Sequence, residues 1–194
     1  MIDLDIRADL RKVQVTMGLL DRELVPAAVR AMNKTITTVR AEGSKELRPR
    51  YPGVKASKLK ARMKLVRATR NKQTAAVVFS GGRFPLFGNF GMRTFGRFGV
   101  RFSKLPWRVE TLEGETVGPE RMARAFRNRL KRYGRAAVFS RETKYRLSHE
   151  ILVAPGIARA IVERQIGATL VRIGRARFLD VFDQEVRFVL SKRT

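Results

Sequence analysis

The chain has 194 residues, which is enough for one domain with a buried core, and 44% of them are hydrophobic. It carries 42 Lys and Arg against 17 Asp and Glu, and this net charge of +25 indicates a polyanionic partner because self-repulsion of that size opposes folding. The lack of cysteine and the single histidine, His149, exclude disulfides, zinc fingers and most metal hydrolases.

The N-terminal quarter of the chain is predicted to be mostly helical. Residues 1–7 favour a short strand, and Asp9 favours the N-cap of a helix that ends near Leu20. Between positions 24 and 48, apolar residues recur at helical spacing while basic residues fall on the opposite face, which predicts a long amphipathic helix. Pro49 follows and ends it. The early acids do not fit a signal peptide, and no apolar run approaches the ~18 residues of a membrane span.

The middle of the chain alternates short apolar runs with glycine-rich turns, which predicts an antiparallel sheet. Ser57 is expected to cap a short helix over 58–63. Seven of the 12 Phe lie between positions 79 and 102, and the pattern TFGRFGVRF favours a strand or hairpin there. The other strands are predicted at KLVRAT, at TAAVVFS (74–80), from Trp107 to Leu112, and at 123–130, 136–142 and 145–153, with turns at 113–119 and at Tyr133-Gly134.

The C-terminal part is predicted to be helical. Pro155-Gly156 breaks the chain, and residues 157–192 follow as helix with bends at Gly167 and Gly174. The fold class is therefore α+β, with a long N-terminal amphipathic helix, a central antiparallel sheet and C-terminal helices. As domains we expect an α+β core over 1–155, with a Phe/Gly-rich hairpin or arm at 81–104, and a C-terminal helical segment over 156–194.

The positive charge is concentrated in two blocks that contain no acid. Residues 47–109 carry 16 Lys and Arg, and residues 121–141 carry eight more. No helix-turn-helix or zinc finger accompanies them, so they favour contact with phosphates, or with acidic subunits, and not the reading of bases. The candidate residues facing DNA or a partner are Lys58, Lys60, Arg62, Lys64, Arg67, Arg127, Arg129, Lys131, Arg132 and Arg135.

The phenylalanines of the middle region allow three interpretations. They fill the core of a small sheet, they stack on exposed bases, or they lie on an extended arm that packs against neighbouring subunits. The candidate subunit-interface residues are Phe84, Phe87, Phe90, Phe95 and Phe98.

No set of residues predicts catalysis, a metal or a cofactor. His149 and Glu150 are neighbours in a predicted strand and point to opposite faces, so they do not act together. Asp180, Asp183 and Glu185 lie on an Arg-rich helix, which favours ion pairs or a solvated face. The glycines near 81–83 match neither phosphate-binding loop pattern. We therefore predict that the chain is not an enzyme, and a nuclease with a metal at Asp180 or Asp183 is the open alternative.

The order of several weak patterns resembles the phage minor tail protein Z family of lambda-like phages. The likeness lies in VPAAVRAMNKTITTVRAEGSKEL (25–47), in VKASKLKARMKLVRAT (54–69) with the following FPLFGNF (84–90), and in the segment over 125–161. Residues 91–120 do not fit the family pattern.

The resemblance implies a structural virion protein without enzymatic activity, assembled in the host cytoplasm. It would be a tail completion or neck component at the head-proximal end of the tail. There it would form a ring, of six copies by tail symmetry, around the DNA channel. The implied partners are the tail terminator, the tail tube, the head connector and the genomic DNA, bound without sequence preference. The alternative is a non-specific nucleic-acid-binding protein, such as a ribosome-associated protein.

Overall fold

A computed structural model describes residues 2–3, 21–87, 89–95, 99–106, 108–129, 136–141, 149–163 and 165–192. The fold is mixed, with 48% helix and 21% strand, and the predicted α+β class is confirmed. The described helices are α1 (Asp21–Leu47), α2 (Ala56–Ala61), α3 (Pro119–Ala123), α4 (Ile157–Glu163) and α5 (Ile166–Ser191). The described strands are β1 (Ile2–Asp3), β2 (Met63–Val66), β3 (Ala76–Phe79), β4 (Phe84–Pro85), β5 (Met92–Phe95), β6 (Gly99–Phe102), β7 (Glu110–Thr111), β8 (Phe126–Arg129), β9 (Ala136–Arg141) and β10 (His149–Ala154).

The chain groups into two compact units, and each unit combines segments that are distant in the sequence. Unit 1 consists of residues 1–45, 60–79 and 161–194, and unit 2 of residues 46–59 and 80–160. The division predicted from the sequence, with a core domain over 1–155 and a helical segment over 156–194, stays a prediction, because a grouping by contacts does not test which segments fold independently.

Unit 1 contains a small antiparallel sheet and two long helices. The strands lie in the order β1, β3, β2, and β2 pairs with β3 from Met63 opposite Phe79 to Val66 opposite Ala76. Helix α1 forms where the apolar spacing predicted it, and its buried face is rich in small residues such as Ala28 and Ala31. A Cβ added to Gly43 of α1 would lie 3.3 Å from the side chain of Leu170, so this glycine lets α5 approach closely.

Helix α5 continues through both glycines at which bends were predicted, so neither glycine ends the helix. Its buried stripe includes Gly174, Phe178 and Phe182, and the two rings stack 5.5 Å apart. A glycine inside a helix weakens it by about 1 kcal/mol relative to alanine but does not by itself end it. The interruption lies at Gln165, whose φ of 52° places it in the left-handed region before α5 begins.

Unit 2 contains a sheet of seven strands in the order β4, β10, β9, β8, β6, β5, with β7 paired to β10. Strands β5 and β6 form the hairpin predicted in the glycine- and phenylalanine-rich region, with Met92 opposite Phe102. In the centre of the sheet, Phe126 lies opposite Phe139 and their rings stack 5.8 Å apart. The predicted strands at 136–142 and 145–153 are confirmed as β9 and β10.

Several predictions in unit 2 need correction. Ser57 lies inside α2, which begins at Ala56, and so does not cap a helix over 58–63. The strand expected from Trp107 to Leu112 is reduced to β7, and Gly118-Pro119 does not close a turn. Gly118 is instead the N-cap residue of α3, because proline fits the first position of a helix, where its missing N–H is not needed. The turn predicted at Tyr133-Gly134 and the helix over 9–20 lie outside the described residues.

Two contacts fix the ends of unit 2 segments that are far apart in sequence. The buried Tyr51 hydroxyl donates a hydrogen bond to the Pro155 carbonyl at 2.9 Å, and its ring packs against Phe84. A Cβ at Gly156 would lie only 2.2 Å from the carbonyl oxygen of Gly81, so only glycine fits. The predicted chain break at Pro155-Gly156 is therefore a point of close backbone approach.

Candidate basic interaction surface

Some of the cations in unit 1 neutralise a buried carboxylate. Arg30 Nε lies 2.5 Å from one oxygen of Glu185, and Lys34 Nζ lies 2.6 Å from the other. Arg30 and Lys34 are one turn apart on α1, so their side chains lie on the same face. The Glu185 side chain is 9% exposed, while those of Arg30 and Lys34 are 44% and 64% exposed. We call these three residues the Glu185 cluster.

The electrostatics of the Glu185 cluster favour the ionised carboxylate. Burial alone would raise the pKa of Glu185, but the hydrogen bonds from Lys34 and Arg30, together with their positive charges, outweigh burial and leave its pKa lowered. Both cations therefore contribute to the stability of the fold.

Cations in unit 2 are used in the same way. The Glu110 side chain is 1% exposed, and Arg108 and Arg159 approach the same oxygen of it at 2.9 Å and 2.8 Å. Arg121 lies 2.8 Å from a carboxylate oxygen of Glu150. These arginines compensate the cost of burying acids, so the net charge of the chain does not measure how many cations are available to a partner.

One group of exposed cations lies on the hairpin formed by β2, β3 and the loop over residues 67–75, which we call the basic hairpin. Four of its basic side chains are exposed, and none of the four forms an ion pair with an acid among the residues that the structure describes. They are Lys64, Arg67, Arg70 and Lys72. This surface is the strongest candidate for contact with a polyanion.

The backbone of the basic hairpin is held in place by side-chain hydrogen bonds. The Asn33 amide of α1 donates to the Ala68 carbonyl at 3.0 Å and accepts from the Ala68 amide at 2.9 Å. At the tip, the Thr69 amide donates to the Lys72 carbonyl at 2.8 Å, and the Lys72 amide donates to the Thr69 hydroxyl at 3.1 Å. The loop therefore has a fixed base and a closed turn, while its basic side chains stay exposed.

The predicted basic residues lie in different surroundings, and the structure describes only some of their side chains. Lys64 and Arg67 lie on the basic hairpin, and Lys60 and Arg62 precede it with partly exposed side chains. The ammonium group of Lys58 donates to the Asn89 side chain at 3.0 Å. For Arg127 and Arg129 only the backbone, in β8, is described, and Lys131, Arg132 and Arg135 lie outside the described residues.

Arg70 and Lys72 were missed as individual candidates. The signal for them was present, since both lie in the acid-free block and the sequence Thr-Arg-Asn-Lys is typical of a tight turn that exposes its central residues.

The predicted interface phenylalanines also divide. Phe84 is 3% exposed and Phe90 is 0% exposed, so both fill the core of unit 2. Their interface role stays a prediction, although both rings are packed inside their own unit. Phe87 is half-buried, only the backbone of Phe95 is described, and Phe98 lies outside the described residues. For these three, the interface role stays a prediction.

The acids of α5 are engaged in ion pairs or exposed to solvent, as the sequence favoured. Asp183 lies 2.8 Å from Arg187 one turn later, Glu185 belongs to its cluster, and Asp180 is exposed. Within the described part of the chain, no group of three or more His, Cys, Asp or Glu is placed to hold a metal ion. None of the described helices is long and apolar enough to cross a membrane.

Comparison with known protein families gives a match over most of the chain. The family model described as prophage minor tail protein Z (GPZ) matches residues 15–192 of the 194. The matched range includes α1, the basic hairpin, the sheet of unit 2 and α5. No curated protein and no solved structure matches the chain.

Proposed function

We propose that this chain, which belongs to the prophage minor tail protein Z family, completes the bacteriophage tail at the end that joins the head. Family membership makes it a structural protein of the phage tail and a component of the virion. The proposal adds that six copies form a ring around the DNA channel, between the tail tube and terminator on one side and the head connector on the other. No chemical step is required of it in this position.

The observation that carries the proposal is the basic hairpin. A tail protein with four exposed cations that pair with no described acid is suited to a place where a polyanion passes or binds. The genome is the polyanion that crosses the junction between head and tail. A ring lined by such residues would hold DNA weakly and without sequence preference, because contacts to phosphates carry no sequence information.

The experiment that tests the position is to label the chain within intact tails. A tag on the C-terminus, imaged with an antibody or gold label, is expected at the head-proximal end. Quantitative mass spectrometry of the same tails is expected to give the copy number of one hexameric ring. A label at the distal tip, or spread along the tube, would overturn the proposed position.

The alternative function is that of a non-specific nucleic-acid-binding protein, such as a ribosome-associated protein. It is supported by the same exposed cations on the basic hairpin. RNA that stays bound during purification at moderate salt, together with the absence of the chain from purified tails, would favour this alternative. Incorporation of the chain into tails would contradict it.

A further inference from the structure

We propose that the basic hairpin is a contact site for the phosphate backbone of double-stranded DNA, and that Asn33 is the residue that positions it. The inference rests on the proposed function in one respect, namely that DNA is the polyanion that the chain meets. It goes further in naming the surface, the chemical group that is bound and the residue that holds the surface in place.

Exposed positive charge is dense on the basic hairpin. The nine residues from 64 to 72 contain four exposed cations and no acid. In contrast, the cations of the Glu185 cluster each lie within 2.6 Å of a carboxylate oxygen. Cations that pair with no described acid repel each other, so four of them in one short hairpin form a surface that a polyanion would stabilise.

The composition of the hairpin surface favours one kind of polyanion. The exposed side chains between positions 64 and 72 are all polar or basic, and Leu65 and Val66 are only partly exposed. The core of a protein interface depends on aromatic and apolar anchors, which this surface does not offer. Contacts to phosphates need only cations and polar groups, and they dominate binding without sequence preference. The hairpin therefore fits nucleic-acid phosphates better than an acidic protein.

The backbone of the hairpin is preorganised by hydrogen bonds. The Asn33 side chain binds both backbone groups of Ala68, as a neighbouring strand would, and the turn from Thr69 to Lys72 is closed by two hydrogen bonds. A backbone that is already ordered loses less entropy when its side chains bind a ligand. Asn33 thus positions the hairpin without touching the ligand.

The test measures binding of the full chain to two short DNA duplexes of unrelated sequence by fluorescence anisotropy across a salt titration. We expect equal affinity for the two duplexes and a linear fall of log K with log salt. In the variant Arg67→Gln/Arg70→Gln/Lys72→Gln, the slope should become shallower by roughly 2.7, since each phosphate contact contributes about 0.9.

The matched control removes three exposed arginines from α5, in the variant Arg172→Gln/Arg175→Gln/Arg177→Gln, which changes the net charge by the same amount. A clearly smaller change of slope in this control supports the hairpin as the site. An equal change in both variants would overturn it, because binding would then follow total charge. The variant Arg67→Lys/Arg70→Lys keeps the charge and is expected to keep the slope. A retained slope would show that the shallower slope of the glutamine variant comes from lost phosphate contacts and not from lost folding.

Polyglutamate, added as a competitor at equal charge concentration, tests the other class of partner. If polyglutamate at this concentration displaces most of the DNA, so that much more DNA is needed to regain binding, the hairpin prefers acidic protein and the inference is overturned.

The proposed position in the tail and the proposed DNA contact can be rejected independently of each other. A tag away from the head-proximal end, with hairpin-dependent DNA binding intact, would reject the proposed position alone. The expected tag position, with DNA binding unchanged in the hairpin variant, would reject the inference alone.

Discussion

The Glu185 cluster and the basic hairpin both gather cations in unit 1, but they place them in different surroundings. In the cluster, two cations of α1 point at one carboxylate that is 9% exposed. In the hairpin, four cations project into solvent with no acid partner among the described residues. The difference shows that residues of one chemical type serve folding in one region and are available for binding in another.

The positive charge of this protein therefore has two different roles. The net charge of +25 does not distinguish cations that compensate buried acids from those that do not. Removing the partner of a buried charge is costly, whereas removing an exposed charge changes stability little. The comparison therefore predicts opposite outcomes for substitutions in the two regions.

The largest expected effect is that of Glu185→Gln. The substitution keeps the size of the side chain but removes the charge that Arg30 and Lys34 approach. Hydrogen bonds to charged groups contribute about 1.5–3 kcal/mol, and the partial exposure of both cations places the loss near the lower end. We expect the free energy of unfolding, measured by urea titration, to fall by about 2 kcal/mol.

The control for that substitution is Asp183→Asn on the same helix. Asp183 also pairs with a cation, Arg187 at 2.8 Å, but its side chain is 49% exposed. An exposed pair of this kind contributes about 0.5 kcal/mol or less. If both substitutions cost the same, the distinction between buried and exposed charge in this unit would be wrong.

The pH dependence of stability sharpens the same point. The pKa of Glu185 in the folded chain is lowered from its ordinary value of 4.5, so the unfolded chain binds the proton more readily. The stabilisation by the ionised Glu185 is therefore complete above pH 4.5. It is lost as the pH falls through the lowered pKa of the folded chain. Urea titrations at decreasing pH should show the difference between the parent chain and Glu185→Gln shrinking, and a constant difference would contradict the assignment.

Features that depend on local spacing were predictable from the sequence, and features that join distant segments were not. Helix α1 was predicted because apolar residues repeat every turn, and β9 and β10 because short apolar runs lie between turn residues. The pairing of Glu185 with Lys34 and Arg30 joins positions 151 and 155 residues apart, which no local pattern records. The sequence therefore identified the basic blocks but could not separate their free cations from the paired ones.

A smaller effect is expected for Asn33→Ala, which removes the side chain that is hydrogen-bonded to the Ala68 backbone at the base of the hairpin. Two hydrogen bonds to the Ala68 backbone are lost, but the site is only part-buried, so water replaces them in part. We expect a loss of about 1 kcal/mol in unfolding free energy and faster hydrogen exchange at the Ala68 amide.

The matched variant at this position is Asn33→Asp, which keeps the acceptor for the Ala68 amide and loses the donor to its carbonyl. It should protect the amide better than Asn33→Ala does. Equal exchange rates in the two variants would show that Asn33 does not hold the hairpin.

The smallest expected effect on stability is that of the hairpin variant Arg67→Gln/Arg70→Gln/Lys72→Gln. Exposed side chains that pair with no described acid contribute within about 0.5 kcal/mol, and relief of repulsion favours a slight gain. Thermal unfolding of this variant should therefore match or exceed the parent chain, while its binding to DNA weakens. A large loss of stability would mean that the hairpin cations serve the fold as those of the Glu185 cluster do. Unchanged stability with weakened binding would mean that the chain keeps these cations for a partner.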